Sequence, residues 1–166
     1  MPERKAIINN KTITYEGLVS MQGIYRALRD LLLDHDYNMY EADHKEQVFS
    51  DGKEIVIKMK GDTKISDYAK IVWEIDFQFT KVQEMMVEKE GQKVRMHQCK
   101  FFMNTQVWLE THYDNSIEQK AFIFFVRTLI DKFVIKNYLN RAEKRATKEY
   151  ALFEQTAKSF LNMEKF

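Results

Sequence analysis

One cysteine, Cys99, is present among 166 residues. An intrachain disulfide is excluded, and so is any zinc or iron–sulfur site that needs several thiolates. A single thiol agrees with a reducing compartment. Proline occurs once, at Pro2, and glycine five times. So few breakers predict long elements joined by short turns, with no flexible linker. Neither sign of charge is in excess: 26 Lys+Arg stand against 25 Asp+Glu. A globally basic nucleic-acid binder and an acidic tail protein are both excluded, although a local patch is not. The longest apolar run, Ala121–Val126, has six residues. A membrane-crossing helix needs about twenty. The opening Met-Pro-Glu-Arg-Lys lacks the apolar stretch of a secretory signal. These features together predict a cytoplasmic protein without a transmembrane segment.

What is abundant is aromatic: twelve Phe, eight Tyr and two Trp make up 13% of the chain. Each ring has a large apolar area to bury. The length suits a single domain with its own core, and no internal repeat or domain boundary is visible.

Lys11–Val19 is rich in strand-favouring residues, and Ser20 has the character of a helix N-cap. After it, Met21, Ile24, Tyr25, Leu28, Leu31 and Leu32 recur at three and four, the pattern of an amphipathic helix. Asp34–Asn38 reads as a turn and residues 39–49 as a weak strand. Asp51-Gly52 signals a type I′ hairpin. Ala69, Ile71, Trp73, Ile75, Phe77 and Phe79 alternate with mostly polar residues, and the alternation slips around Val82–Met86, which predicts a bulge. Glu90-Gly91 turns the chain into a last strand, with Cys99, Phe101, Met103, Val107 and Leu109 on one parity. Strands of about twenty residues would span roughly 65 Å if straight, so this hairpin must curl or break. From Ser116, a second candidate N-cap, to Met163 there is no Gly or Pro. That stretch reads as one long helix or two collinear ones.

The expected fold is α+β, in the order β-α-β-β-β-β-α: a curled antiparallel sheet gripping a long C-terminal helix. In this order the chain resembles the START-like, or helix-grip, superfamily over about residues 11–140. The likeness is one of architecture and rests on no short motif. The chain departs from the usual pattern in having one helix after the first strand and five strands rather than six or seven. The resemblance implies an apolar cavity between sheet and helix for a lipid or other hydrophobic ligand. The residues placed to line it are Trp73, Phe77, Phe79, Phe101, Phe122, Phe125 and Phe133. A solid aromatic core is the competing expectation.

Catalytic signatures are absent. There is no HExxH, paired CxxC, GxSxG or Gly-rich phosphate loop. His97 and Cys99 share a parity, as do His112 and Asp114, but neither pair has a visible third ligand. Asp34, Asp36 and Asp43 near the end of the first helix suit turns. No catalytic residue, metal site or cofactor is expected, and a binding protein is expected before an enzyme.

Two features of the last helix bear on partners. Arg141, Lys144, Arg145 and Lys148 follow i, i+3, i+4, i+7 and form a basic ridge fit for phosphates of nucleic acid or lipid. Glu143 and Glu149 flank and dilute it, and a plain solvated face is the alternative. The apolar stripe also changes direction. Up to Phe133 it runs through Phe122, Val126, Leu129 and Ile130; beyond Asn140 it runs through Ala142, Ala146, Tyr150, Phe153, Ala157, Phe160 and Leu161. On one straight helix the two stripes lie about 180° apart. With the first stripe on the sheet, residues 141–163 become an extension, and Tyr150, Phe153 and Phe160 become an association strip for a homodimer or a partner protein. A kink near Asn137–Asn140 that folds the extension back is the alternative.

Overall fold

The computed structural model describes residues 2–111, 128–129, 132 and 136–163, with 162 and 163 described by their backbone alone. Strand β1 (Glu3–Val19) leads into helix α1 (Met21–Asp34), and strands β2 (Asn38–Phe49), β3 (Gly52–Lys64), β4 (Ala69–Lys89) and β5 (Gln92–Thr111) follow, before helix α2 (Lys136–Met163). The five strands form one antiparallel sheet in the order β1-β5-β4-β3-β2. The expected α+β architecture is thus present, and the sheet curls around the C-terminal helix. Ser116, His112, Asp114, Phe122, Phe125 and Phe133 lie outside the described residues.

Local chemistry sets most element boundaries. The Ser20 hydroxyl accepts from the Gly23 amide at 3.1 Å, satisfying one of the free donors in the first turn of α1. Ile24, Leu28 and Leu32 bury the apolar stripe of that helix. The Glu90-Gly91 turn has both φ angles positive, at 52° and 78°, as a type I′ hairpin requires. Asp51-Gly52 does not make the expected I′ turn. The loop there is Ser50-Asp51, because Phe49 pairs with Gly52, and only Gly52 has a positive φ, at 137°.

Strand β1 begins eight residues before the expected start. Glu3 pairs with Thr111, and a register shift between Ile8 and Lys11 accommodates Asn9 and Asn10, the latter with a φ of 46°. The two asparagines form an irregularity inside one continuous strand. The bulge in β4 falls at Lys81, φ 53°, slightly before the position where alternation slips. Both β4 and β5 remain unbroken, at 21 and 20 residues.

The concave face carries the core. Trp73, Phe77, Phe79, Phe101, Ile71 and Ile75 are almost wholly buried there. On the convex face Glu110 is held between Arg4 at 2.9 Å and Lys70 at 3.5 Å, so the polar parity of β4 and β5 is used in cross-strand ion pairs.

The helix lies on the sheet by the opposite stripe from the one expected. Ala142, Ala146, Tyr150, Phe153, Ala157 and Leu161 are buried in the core of their own chain. Phe153 packs 5.2 Å from the Trp73 ring and Tyr150 6.3 Å from it. The three alanines let the helix axis come close to the sheet, and the two rings fill the space between. Leu129, a member of the stripe expected to face the core, is 50% exposed. Residues 141–163 are therefore no appendage to a core ending at 140. Helix α2 runs unbroken from Lys136 to Met163, so no kink near Asn137–Asn140 turns them inward.

A buried polar tie fixes α2 lengthwise. The Tyr37 hydroxyl donates to Glu149 Oε2 at 2.5 Å, and Arg145 Nε donates to Glu149 Oε1 at 2.8 Å. Arg145 also donates to the His35 carbonyl at 2.9 Å, closing the C-terminal end of α1. Burial, then the bond to Glu149, pushes the Tyr37 hydroxyl well above the usual tyrosine range. At the other end of the helix pair, a Cβ on Gly23 would lie 2.7 Å from the Phe160 ring. A side chain at position 23 would force the Phe160 ring tip and the Ser20 hydroxyl to shift.

Candidate functional site

The rings expected to line a cavity pack against one another. Phe79 lies 5.2 Å and Phe77 6.4 Å from Phe101, and Tyr25 of α1 meets Phe77 edge-on at 5.7 Å. Trp73 is closed off by Tyr37 at 5.8 Å and by Phe153. The space at these four positions is filled by side chains.

Beside this filled core, a recess of about 250 Å³ opens between α1 and the concave side of β2–β4. Its floor is apolar: Ile55 and Ile57 of β3, Phe79 of β4 and Met21 of α1. Its rim is polar: Tyr25 from α1 and Glu41, His44 and Glu46 from β2. A bulge explains how three residues at this spacing reach one side. Glu41 pairs with Met59, but Asp43 pairs with Lys58, so Ala42 is an extra residue in β2. His44 then pairs with Ile57 and Glu46 with Ile55, and all three face inward with their partners. Without the extra residue, Glu41 and His44 would point to opposite faces of the strand.

The rim residues are joined to each other. Tyr25 donates its hydroxyl proton to Glu41 Oε2 at 3.0 Å, and His44 Nδ1 donates to Glu41 Oε1 at 3.0 Å. Because the Glu41 carboxylate accepts, this bond places a proton on His44 Nδ1. Burial, reinforced by Glu41, pushes the Tyr25 hydroxyl up to about 12. Glu46 is paired with Lys53 at 3.1 Å. The arrangement offers an apolar bed beside a polar rim of carboxylate, hydroxyl and imidazole groups.

A larger open groove, about 670 Å³, lies where the first turns of α2 pass the ends of β1 and β5. Leu109, Tyr68 and Leu139 line it, and the Lys5–Glu143 ion pair, at 2.7 Å, crosses it. It borders the stretch outside the described residues, and the smaller recess is the one bounded by described elements on all its named sides.

The structure takes the basic ridge apart and cleans what remains. Arg145 is spent on Glu149, His35 and the Tyr37 ring, 5.9 Å away. Arg141, Lys144 and Lys148 stay exposed along the outer face of α2. The two acids expected to dilute them are drawn off: Glu143 turns to Lys5, and Glu149 is buried. The association strip is not on the surface. Tyr150 and Phe153 lie in the core, and Phe160 is half-buried against α1. The residues assigned to a dimer contact thus pack within their own chain, since the close helix–sheet approach requires their stripe.

Cys99 is 2% exposed, and burial pushes its thiol up to about 11, so it is chemically quiet. Burial pushes His97 below the usual histidine range. Among the described residues no three His, Cys, Asp or Glu side chains converge as a metal site would require. Nor is any helix among them long and apolar enough to cross a membrane. No family model and no curated protein matches the chain.

Tyr25, Glu41, His44 and Glu46 carry no signal of this site in the sequence pattern. The helical stripe marks Tyr25 as a core residue, and the weak alternation of β2 hides the extra Ala42.

Proposed function

We propose that the protein is a non-enzymatic binding protein of helix-grip type that holds a small, apolar-bodied molecule in the recess between α1 and the sheet. Placement in the START-like superfamily and in the cytoplasm belongs to the same reading; the sheet-and-helix order supports the first and the single, unbridged Cys99 the second. The observation that carries the proposal is the union of an apolar floor with a connected polar rim. Pockets that select small molecules are built in this way, with apolar area for affinity and a few fixed polar groups for orientation. A volume of about 250 Å³ suits a single-ring or short-chain ligand rather than a long lipid.

Cyclohexanol is a suitable probe. Titration should shift the Ile55 and Ile57 methyl resonances with saturable, one-site behaviour. At a hundredfold excess over Kd the melting temperature should rise by the equivalent of about 2.7 kcal/mol. Met21→Trp, which fills the recess from the helix side, should abolish the shifts while circular dichroism stays native. Linear, unsaturable shifts in the wild type overturn the proposal.

A second reading is favoured by the loss of both acids from the ridge. Arg141, Lys144 and Lys148 then offer three charges with no ion pair among the described residues to a phosphate-bearing surface, each worth about 1 kcal/mol on an anionic membrane. Sedimentation with phosphatidylserine vesicles should detect weak binding at low salt that disappears by about 0.5 M, since screening shortens to a few Å. The Arg141→Ala, Lys144→Ala, Lys148→Ala triple variant should not bind. Equal binding by the triple variant rules the ridge out.

A further inference from the structure

We infer that Met85, on the distal part of the β4–β5 hairpin, is a site of reversible oxidation by hydrogen peroxide, and that its sulfoxide opens this hairpin while the rest of the sheet stays folded. The inference goes beyond the binding reading above and is independent of it.

The first ground is access to the thioethers. The chain has nine methionines. Met59, Met96 and Met103 are 1%, 6% and 1% exposed, and Met21 and Met39 are half-buried. Met85 is 47% and Met86 61% exposed, and they are the two exposed methionines among the described residues. Peroxide oxidises a thioether by direct contact, so it reaches these two first. The sulfur lone pair attacks one peroxide oxygen and the O–O bond breaks. The departing hydroxide takes the proton from the new S–OH group, which leaves the sulfoxide and one water.

The second ground is the place of these residues in the sheet. Strand β3 ends its pairing with β4 at Lys53–Val82, and β1 ends its pairing with β5 at Val19–His97. From Met85–Met96 out to Lys89–Gln92, β4 and β5 pair with each other alone. A two-stranded ribbon is marginal in water and depends on its cross-strand side-chain pairs. Met85 stands opposite Met96 and Val87 opposite Val94, and these four residues make the apolar side of the ribbon. The other side is charged. Glu84 is paired with Arg95 at 2.5 Å, and Glu88 stands opposite Lys93.

Strand alternation therefore separates two adjacent methionines. Met86 stands opposite Arg95 on the charged side, where a sulfoxide oxygen is one more polar group. At Met85 the same oxygen enters the pair with buried Met96 and weakens the apolar ladder. Both residues are oxidised, and Met85 alone acts on the fold. The core below the bulge at Lys81 does not rest on this ladder, since Phe79 and Phe101 pack against each other. A thiol-dependent sulfoxide reductase reverses the step: a dithiol gives two electrons and becomes a disulfide, and the oxygen leaves as water.

The full chain treated with hydrogen peroxide and mapped by peptide mass spectrometry should gain one oxygen at Met85 and at Met86 at least about tenfold faster than at Met59 or Met103. In the oxidised protein, amide exchange between Met85 and Met96 should quicken by at least about threefold, while Ala69–Phe79 keeps its protection. Met86→Leu should leave this response intact. Met85→Leu should abolish it although Met86 is still oxidised. Met85→Gln, which places a polar group there without peroxide, should open the ribbon by itself. Oxidation of Met59 or Met103 as fast as Met85 overturns the site. Unchanged exchange after Met85 is oxidised, or loss of the response in Met86→Leu, overturns its effect on the fold.

Discussion

Phe153→Ala will destabilise the fold by about 3–5 kcal/mol, as removal of a fully enclosed ring does. Phe153 is 0% exposed and lies 5.2 Å from Trp73, at the centre of the contact between α2 and the sheet. Domains of this size have about 5–15 kcal/mol in all, so the variant should unfold at markedly lower denaturant. The double variant Tyr150→Glu, Phe153→Glu should not fold, because two carboxylates would enter the core without partners. Urea titration followed by circular dichroism measures the first effect, and light scattering settles the alternative. If these residues held two copies together, the double variant would stay folded at half the wild-type mass. Internal packing instead requires lost structure in both variants.

The second large effect belongs to Glu149. Glu149→Ala removes the acceptor of both Tyr37 and Arg145 and should cost about 2–4 kcal/mol. The Tyr37 hydroxyl is left in a buried position without its acceptor, whereas Arg145, partly exposed, recovers much of its solvation. Tyr37→Phe alone should cost about 1–2 kcal/mol. A double-mutant cycle should then show coupling of at least about 1 kcal/mol between the two sites. Additive losses would mean that the 2.5 Å contact contributes nothing beyond its separate parts. The expected coupling matters for the recess as well, because the tie at His35 holds the end of the helix that forms one wall of the site.

Several elements are readable from residue order because their causes are local. Ser20 caps α1 with its own hydroxyl, and the Ile24, Leu28, Leu32 stripe is buried as its period implies. Strict alternation from Ala69 to Phe79 marks one face of β4, and the buried parity of β5 from Cys99 to Leu109 matches it. The candidate site is less legible. Of the seven aromatic positions assigned to a cavity, Trp73, Phe77, Phe79 and Phe101 sit together on the concave face, but they fill it; Phe79 also floors the recess. The polar rim depends on one extra residue, Ala42, in an exposed edge strand. No apolar period runs through that strand, so nothing in its sequence reports that Glu41 and His44 share a face.

The sequence by itself determined the antiparallel sheet, the order of its strands along the chain and the long C-terminal helix, because turn residues, caps and alternation act over a few neighbours. Only the tertiary structure decided which side of that helix meets the sheet. Two apolar stripes half a turn apart are equally good candidates when each is judged by its own period. The choice falls to the stripe whose small residues, Ala142, Ala146 and Ala157, let Phe153 and Tyr150 reach Trp73. Close packing between distant segments sets that preference, and it carries the basic ridge outward and leaves the recess beside α1 open.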